Sequence, residues 1–296
     1  MSAGGAKKHL VFIVNPRSGT DRIKAIQTAI DSLIDKSLYT HETQYTQHAK
    51  HGTELARDAA EHGAHVVIAV GGDGSVADVA TGLEGSRTAL GIIPKGSGNG
   101  MARSLGLPLK VEEAIKLINI GKTLTIDLGY VNDKLFVSNA GVGFDALISN
   151  KFATSKRRGL SVYSWLVTKH LWLYKEWDWQ LEVDGEKINS RAFLVNVANG
   201  QQFGYNFRIA PQASFTDGWL DVTIIRKFPK IFGGALAMRA MWGNITDSKY
   251  VTHYRAKRVN IFHPDLRLMQ TDGDAHSCTN RLNFWIAPKA MNVIVP

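Results

Sequence analysis

The chain has a single cysteine, Cys278, only eight prolines, and no apolar run long enough to cross a bilayer as a helix. One thiol excludes an internal disulfide and suits a reducing interior. With no histidine motif around it, Cys278 reads as a small buried group and not as a nucleophile. A membrane-spanning helix needs about 18 or more consecutive apolar residues. The opening Met1-Ser2-Ala3-Gly4-Gly5-Ala6-Lys7-Lys8 is polar and carries no secretory signal. These absences lead us to expect a cytoplasmic protein that is at most peripherally associated with a membrane. No internal repeat or low-complexity tract is visible.

What is present is an ordinary globular composition, 44% hydrophobic and 21% charged over 296 residues. That length exceeds the size at which one core usually stops growing, so two domains are expected. The formal charge of +9 draws a protein toward nucleotides, nucleic acid or anionic lipid, and does not choose among them.

The first 120 residues alternate strand and helix. Strands are read at Leu10 to Val14, Tyr39 to Tyr45, His65 to Val70 and Leu90 to Ile93; helices at Ile23 to Ile34, Gly52 to His62, after Ser75, and from near Asn99. Val111 to Ile120 is a further helix, closed by Gly121 as a left-handed cap. This alternation implies a parallel sheet with ligands at the carboxyl ends of its strands. After Lys122 the pattern turns to short strands with hairpin turns at Asn132-Asp133 and Asp184-Gly185, which reads as an antiparallel sandwich.

Two glycine-rich loops follow adjacent strands: Gly71-Gly72-Asp73-Gly74-Ser75, and Pro94-Lys95-Gly96-Ser97-Gly98-Asn99-Gly100. Glycines let backbone amides approach a phosphate closely, and a helix start aims its positive end at the same spot. The first loop alone could equally be a tight turn with Asp73 as a helix cap. The pair suggests a nucleotide held between them.

In these loops, and in Asn15-Pro16-Arg17-Ser18-Gly19, Asn139 to Ala146, Asp217 to Val222 and Asp272-Gly273-Asp274, the chain resembles the diacylglycerol-kinase catalytic-domain family. Bacterial lipid kinases, sphingosine kinases and ceramide kinases belong to it, and the resemblance covers nearly the whole length. It implies an α/β N-terminal domain with a parallel sheet, of the NAD-kinase/diacylglycerol-kinase type, over residues 1–122 with a returning strand at 288–296. A C-terminal antiparallel β-sandwich, residues 123–287, would bind lipid and carry catalysis.

The resemblance implies ATP and Mg²⁺ as cofactors. The nucleotide would be held by Thr46, Gly71, Gly72, Asp73, Gly74, Ser75, Gly96, Ser97 and Asn99, with Asp73 placing the metal or the phosphates. Thr46 is open to a plainer reading as a hydroxyl before a helix. Lys95 reads as an exposed basic residue with a modest role. Asp274 falls on the catalytic base position, one methylene shorter than the family's usual glutamate; a hairpin turn is the plain alternative. Asp145 would hold the lipid head group, or cap the helix that follows. Ser214, Asp217 and Trp219 would bind a structural Mg²⁺, the alternative being a turn that enters a strand.

The activity implied is phosphorylation of a lipid hydroxyl, with diacylglycerol first. A sphingoid base or ceramide comes second, because Gly100 departs from the aspartate common in diacylglycerol kinases. An NAD kinase shares the first loop, and Asp274 leaves a catalytically silent nucleotide- or lipid-binding protein open. The expected partner is a lipid substrate at a membrane surface, with a homodimer open and no nucleic acid. Lys156-Arg157-Arg158 and an aromatic stretch read as helical from Leu160 to Trp179, with Tyr163, Trp165, Trp172, Tyr174 and Trp177, suit a membrane-facing rim. Aromatics at such spacings are also usual in a core.

Overall fold

In a computed structural model, residues 6–19, 23–155 and 159–296 are described. Lys156, Arg157 and Arg158 therefore lie outside the described residues. The chain divides into two compact units, Met1–Ile126 with Lys289–Pro296, and Asp127–Pro288.

Unit 1 alternates β1 (Lys8–Val14), α1 (Ile23–Leu33), β2 (Tyr39–Tyr45), α2 (His51–Glu61), β3 (Val66–Gly71), α3 (Asp73–Gly82), β4 (Ala89–Pro94), α4 (Gly100–Ser104) and α5 (Val111–Ile120). The strands pair in parallel in the order β4-β3-β1-β2, and Val293 of the final strand joins Leu90 of β4 in parallel. Every residue of β3 and β4 is buried. A parallel strand covered on both faces has to read as a continuous apolar run, which is why these two are plain in the sequence. Gly121 ends α5 in the left-handed conformation, φ 68°.

Unit 2 is built from β5 (Thr123–Val131, whose first four residues belong to unit 1), β6 (Lys134–Phe136), β7 (Asn139–Gly143), α6 (Phe144–Ala153), α7 (Leu160–Leu171), β8 (Trp177–Val183), β9 (Glu186–Ala198), β10 (Leu220–Arg226), α8 (Gly233–Trp242), β11 (Val251–Ala256), β12 (Arg258–Phe262), β13 (Leu268–Thr271), β14 (Asp274–Ser277) and β15 (Arg281–Ile294). Its strand pairs are antiparallel: β9 lies between β7 and β8 and also pairs with β10, while β13 joins β7 to β14. The hairpin turns at Asn132 and at Asp184-Gly185 have positive φ, as two-residue hairpin loops require.

From Ala192 to Ala198, β9 is buried on both sides. Val195 and Val197 join Phe136, Trp179 and Phe284 in one core, whereas Phe193 and Leu194 join Phe144, Leu166, Leu236 and Ile245 in a second core beneath the helices. The sheet is thus covered by helices on one face and by its own folded-over strands on the other.

The expected helix from Leu160 to Trp179 stops at Leu171 and gives way to β8. Trp179 is fully buried, with its indole donating to the Ala192 carbonyl at 3.3 Å, and Trp177 stacks on it and on His263. Alternation along a strand places these two rings in the sheet and removes them from any rim. Tyr163 and Tyr174 pack against the second core, leaving Trp165 and Trp172 as the exposed rings of the stretch. Among the described residues, no helix is long and apolar enough to cross a membrane.

Candidate functional site

In unit 1, three loops at the carboxyl ends of β1, β3 and β4 meet backbone to backbone. A Cβ on Gly96 would fall 2.5 Å from the Gly72 Cα, and one on Gly72 would fall 3.1 Å from the Gly96 Cα. Gly19, at φ +75°, stands where a Cβ would reach the Lys95 carbonyl at 2.7 Å. Only glycine permits such approaches, so these loops form a single ledge of main chain. Asn15 Nδ2 donates to Ser75 Oγ at 3.2 Å, and Lys95 N donates to the Gly71 carbonyl at 2.7 Å, which tie the ledge together.

Asp73 is not the cap of α3. The N-cap is Gly72, which makes no side-chain cap bond, and Asp73 Oδ1 instead accepts the Gly100 amide at 2.6 Å. The amides of Asn99 and Met101 also support this carboxylate, while burial pushes its pKa up. Asp73 therefore joins the first glycine loop to the start of α4. Asn99, left-handed at φ 50°, closes the second loop: its Oδ1 accepts Gly96 N–H at 2.9 Å and its Nδ2 donates to the Gly96 carbonyl at 2.8 Å. Ser97 is exposed at the tip of that loop, Ser75 lies at the start of α3, and Gly71 and Gly74 complete the turn. Lys95 is partly covered, and burial lowers its pKa.

Thr46 follows β2 and donates its amide to the Val14 carbonyl at 3.0 Å. Close by, His48, His51 and Glu54 bring potential ligand atoms within 4.8 Å of one another. His51 Nδ1, however, accepts the Gln47 amide at 3.0 Å, which keeps its proton on Nε2 and leaves only two usable ligands.

In unit 2, Asp272-Gly273 is the hairpin turn between β13 and β14, with φ of 49° and 89°, and Asp274 opens β14 with its side chain exposed. The neighbouring Asp272 carboxylate anchors this turn, accepting the amides of Val137 at 2.8 Å, Ser138 at 2.7 Å and Asn139 at 3.2 Å. Gln270 anchors its other side, as its Oε1 accepts the Gly273 amide at 2.9 Å. The Gln270 amide group then donates to Asn139 Oδ1 at 2.9 Å and to Asp145 Oδ2 at 3.3 Å.

Asp145 is buried, accepts the Ala146 amide at 2.8 Å, and has its pKa pushed up to about 7 by desolvation against the opposing hydrogen bonds of Ala146, Gln270 and Asn196. A continuous buried network, Asp145, Asn139, Asn196 and Gln270, thus leads to the turn that carries Asp274. Gln270 and Asn196 were not singled out from sequence. The signal for both is a polar residue inside an apolar strand, as in Leu194-Val195-Asn196-Val197.

Ser214, Asp217 and Trp219 lie together before β10. Asp217 Oδ1 accepts the Trp219 amide at 3.1 Å, and its other oxygen pairs with Arg255. The structure adds two carboxylates: Asp127 Oδ2 accepts the Gly218 amide at 2.7 Å, and Asp221 is fully buried with Oδ1 on His253 at 2.7 Å. Asp221 Oδ2 is buried without a hydrogen-bond partner. Burial first, then the charges of Asp221 and Asp127, push the Asp217 pKa up. An oxygen-only donor set with surplus negative charge and an unsatisfied carboxylate oxygen fits a hard divalent cation.

Residues 9–131 match the family model described as the diacylglycerol kinase catalytic domain, and residues 138–295 match that described as the YegS C-terminal NAD kinase beta sandwich-like domain. The chain is 31% identical over 319 aligned positions to a protein named "Diacylglycerol kinase" from Mycobacterium tuberculosis (strain ATCC 25618 / H37Rv), a match covering 100% of this chain and 99% of that one. It is 37% identical to a "Probable lipid kinase YegS-like" protein of Chromohalobacter salexigens over 61% of this chain and 60% of that relative's length. A solved structure of a diacylglycerol kinase from Bacillus anthracis str. Sterne superposes with a TM-score of 0.76, covering 99% of this chain and 98% of that one at 22% identity. At that identity the likeness shows the fold.

Proposed function

Because the chain belongs to the diacylglycerol kinase catalytic-domain family, we propose that it is an ATP-dependent lipid kinase whose acceptor is diacylglycerol, yielding phosphatidic acid. The observation that carries this reading is the ledge of three glycine loops in unit 1, closed by Asp73 and Asn99. Such a surface would offer backbone amides, with the hydroxyls of Ser75 and Ser97 beside them, to a triphosphate. Phosphoryl transfer asks for this kind of positioning and charge neutralisation, not for covalent chemistry from the protein.

In the proposed reaction the acceptor hydroxyl oxygen forms a bond to the γ-phosphorus, the bond from that phosphorus to the β,γ-bridging oxygen breaks, and ADP leaves. The hydroxyl proton passes to the Asp274 carboxylate, which must come within about 3 Å of the acceptor oxygen, and then to solvent. Asp272 and Gln270 act on Asp274 by fixing its turn. Asp145 belongs to the same framework: buried and hydrogen-bonded, it positions Gln270, and through it the turn that carries Asp274.

Ser97 and Ser75 would bind the nucleotide with their hydroxyls and Thr46 would border it. Mg²⁺ would be held by Asp217 with the carbonyls of Ser214 and Trp219, beside Asp127 and Asp221, and would there relieve the repulsion among these carboxylates and stiffen the turn into β10. Labelled-phosphate transfer from ATP, screened over diacylglycerol, a sphingoid base, ceramide and NAD, tests the reading. Label in phosphatidic acid supports it, and label on another acceptor replaces it.

A further inference from the structure

α8 (Gly233–Trp242) is apolar on both of its faces. Leu236 and Ala240 point into the second core of unit 2. On the outer side, Ile231, Gly234, Ala235, Met238, Met241 and Trp242 follow one another at helical spacing, and all are exposed. Ile231 is 77% exposed, Met238 50%, Met241 56% and Trp242 70%. A surface helix of a water-soluble fold carries charged or polar residues there. Arg239 is the one charged residue of α8, and it is half-buried and turned to the Asn244 carbonyl.

The patch extends beyond the helix. A Cβ on Gly233 would fall 2.8 Å from Leu171 Cδ2, so the start of α8 abuts the end of α7, where Trp172 and Leu173 are exposed. Phe232, also exposed, lies beside Tyr250. Contiguous apolar surface of this kind marks a contact with something apolar.

Charge identifies the occupant. Neither α7 nor α8 contains an aspartate or glutamate, and cations outnumber carboxylates among the exposed charged side chains at the flanks: Lys169 over the Trp165 ring, Lys175 two residues beyond Leu173, Lys227, and Lys249 over the Tyr250 ring, against Asp178 and Asp247. Lys230 is different, since it is largely buried and paired with Glu176 at 2.6 Å. Exposed indole and thioether side chains on helices without a carboxylate, with cations in excess around them, complement an anionic bilayer: the apolar groups enter the acyl boundary and the cations meet phosphates.

We propose that the outer face of α8, continued by Trp172 and Leu173, seats this protein on anionic lipid bilayers. The proposal rests on the lipid-kinase reading only for the reason why a bilayer is met. Its test is therefore made without nucleotide or acceptor, by cosedimentation with phosphatidylglycerol-containing and with pure phosphatidylcholine vesicles.

The wild type should prefer the anionic vesicles, and salt should weaken that preference. Met238→Glu/Met241→Glu should lower partitioning at least tenfold with an unchanged thermal midpoint, and Trp242→Ala should lower it by a smaller factor. Turnover of a short-chain, water-soluble acceptor should be unaffected by either change. Wild-type partitioning in both variants would overturn the proposal. So would sedimentation velocity showing that the double substitution turns a dimer into a monomer while vesicle binding stays the same, since the face would then belong to a second copy. A kinase assay negative on every acceptor, with vesicle binding intact and lost in the variants, would sink the proposed reaction and leave the docking face standing.

Discussion

Replacing Asp272 by asparagine probes how the turn that carries Asp274 is held. The native carboxylate accepts three main-chain amides, those of Val137, Ser138 and Asn139. Asparagine tolerates the left-handed backbone of this position, φ 49°, so the substitution leaves the turn unstrained. Its single oxygen can keep Ser138 and Asn139, but its NH₂ group then faces the Val137 N–H, donor against donor. Leaving one partly buried amide unsatisfied and removing the charge from the other two bonds should cost about 2 kcal/mol. For a unit of this size that lowers the thermal midpoint by about 4–8 °C in calorimetry. Asp272→Ala should fall further, since all three acceptors go and alanine adds about 1–2 kcal/mol of backbone strain. Turnover should fall in both variants while KM for ATP stays near wild type, because the nucleotide is proposed to be held by the loops of unit 1 and Asp272 to act on the turn that carries Asp274. A midpoint within about 1 °C of wild type and an unchanged turnover for Asp272→Asn would refute this account of the turn.

Asp73→Asn should lower turnover at least tenfold and, because Asp73 holds the amides at the start of α4, should also lower stability by about 1–2 kcal/mol, read by chemical denaturation. The Asp145 carboxyl titrates near 7 in the fold against an ordinary value of 3.8. The native state thus keeps a proton that the unfolded chain gives up, and stability falls as pH rises from about 4 to about 7, by up to about 4 kcal/mol, then levels off. Removing the ionisable group with Asp145→Asn should flatten that decline in thermal midpoint, and an unchanged slope would show that Asp145 is not its source. Mg²⁺ should raise the wild-type midpoint and leave that of Asp217→Asn where it was; equal shifts in both proteins would remove Asp217 from the metal site.

The glycine loops of unit 1 were legible because burial on both faces makes β3 and β4 unbroken apolar runs, and the glycines that end them stand out against those runs. What was not legible is non-local. That Asp73 serves Gly100, 27 positions away, and that Asp272 serves three amides more than 130 positions upstream, follows from tertiary packing and leaves no mark in the local pattern. Trp177 was read as part of a helix because an aromatic-rich stretch carries no clear period of its own; the strand is set by pairing with β9 and β12. α8 escaped notice for a related reason. A helix that is apolar on its buried and its exposed side, and that begins with two glycines, has no amphipathic signal to find.

The account stands most directly on one assay: transfer of labelled phosphate from ATP to diacylglycerol in mixed micelles by the wild type and by Asp274→Asn, each confirmed as folded. The wild type should form labelled phosphatidic acid with many turnovers per protein molecule, and the variant should be slower by about a hundredfold or more at a similar KM for ATP. Label appearing on NAD and not on lipid, or equal rates for the two proteins, would contradict it.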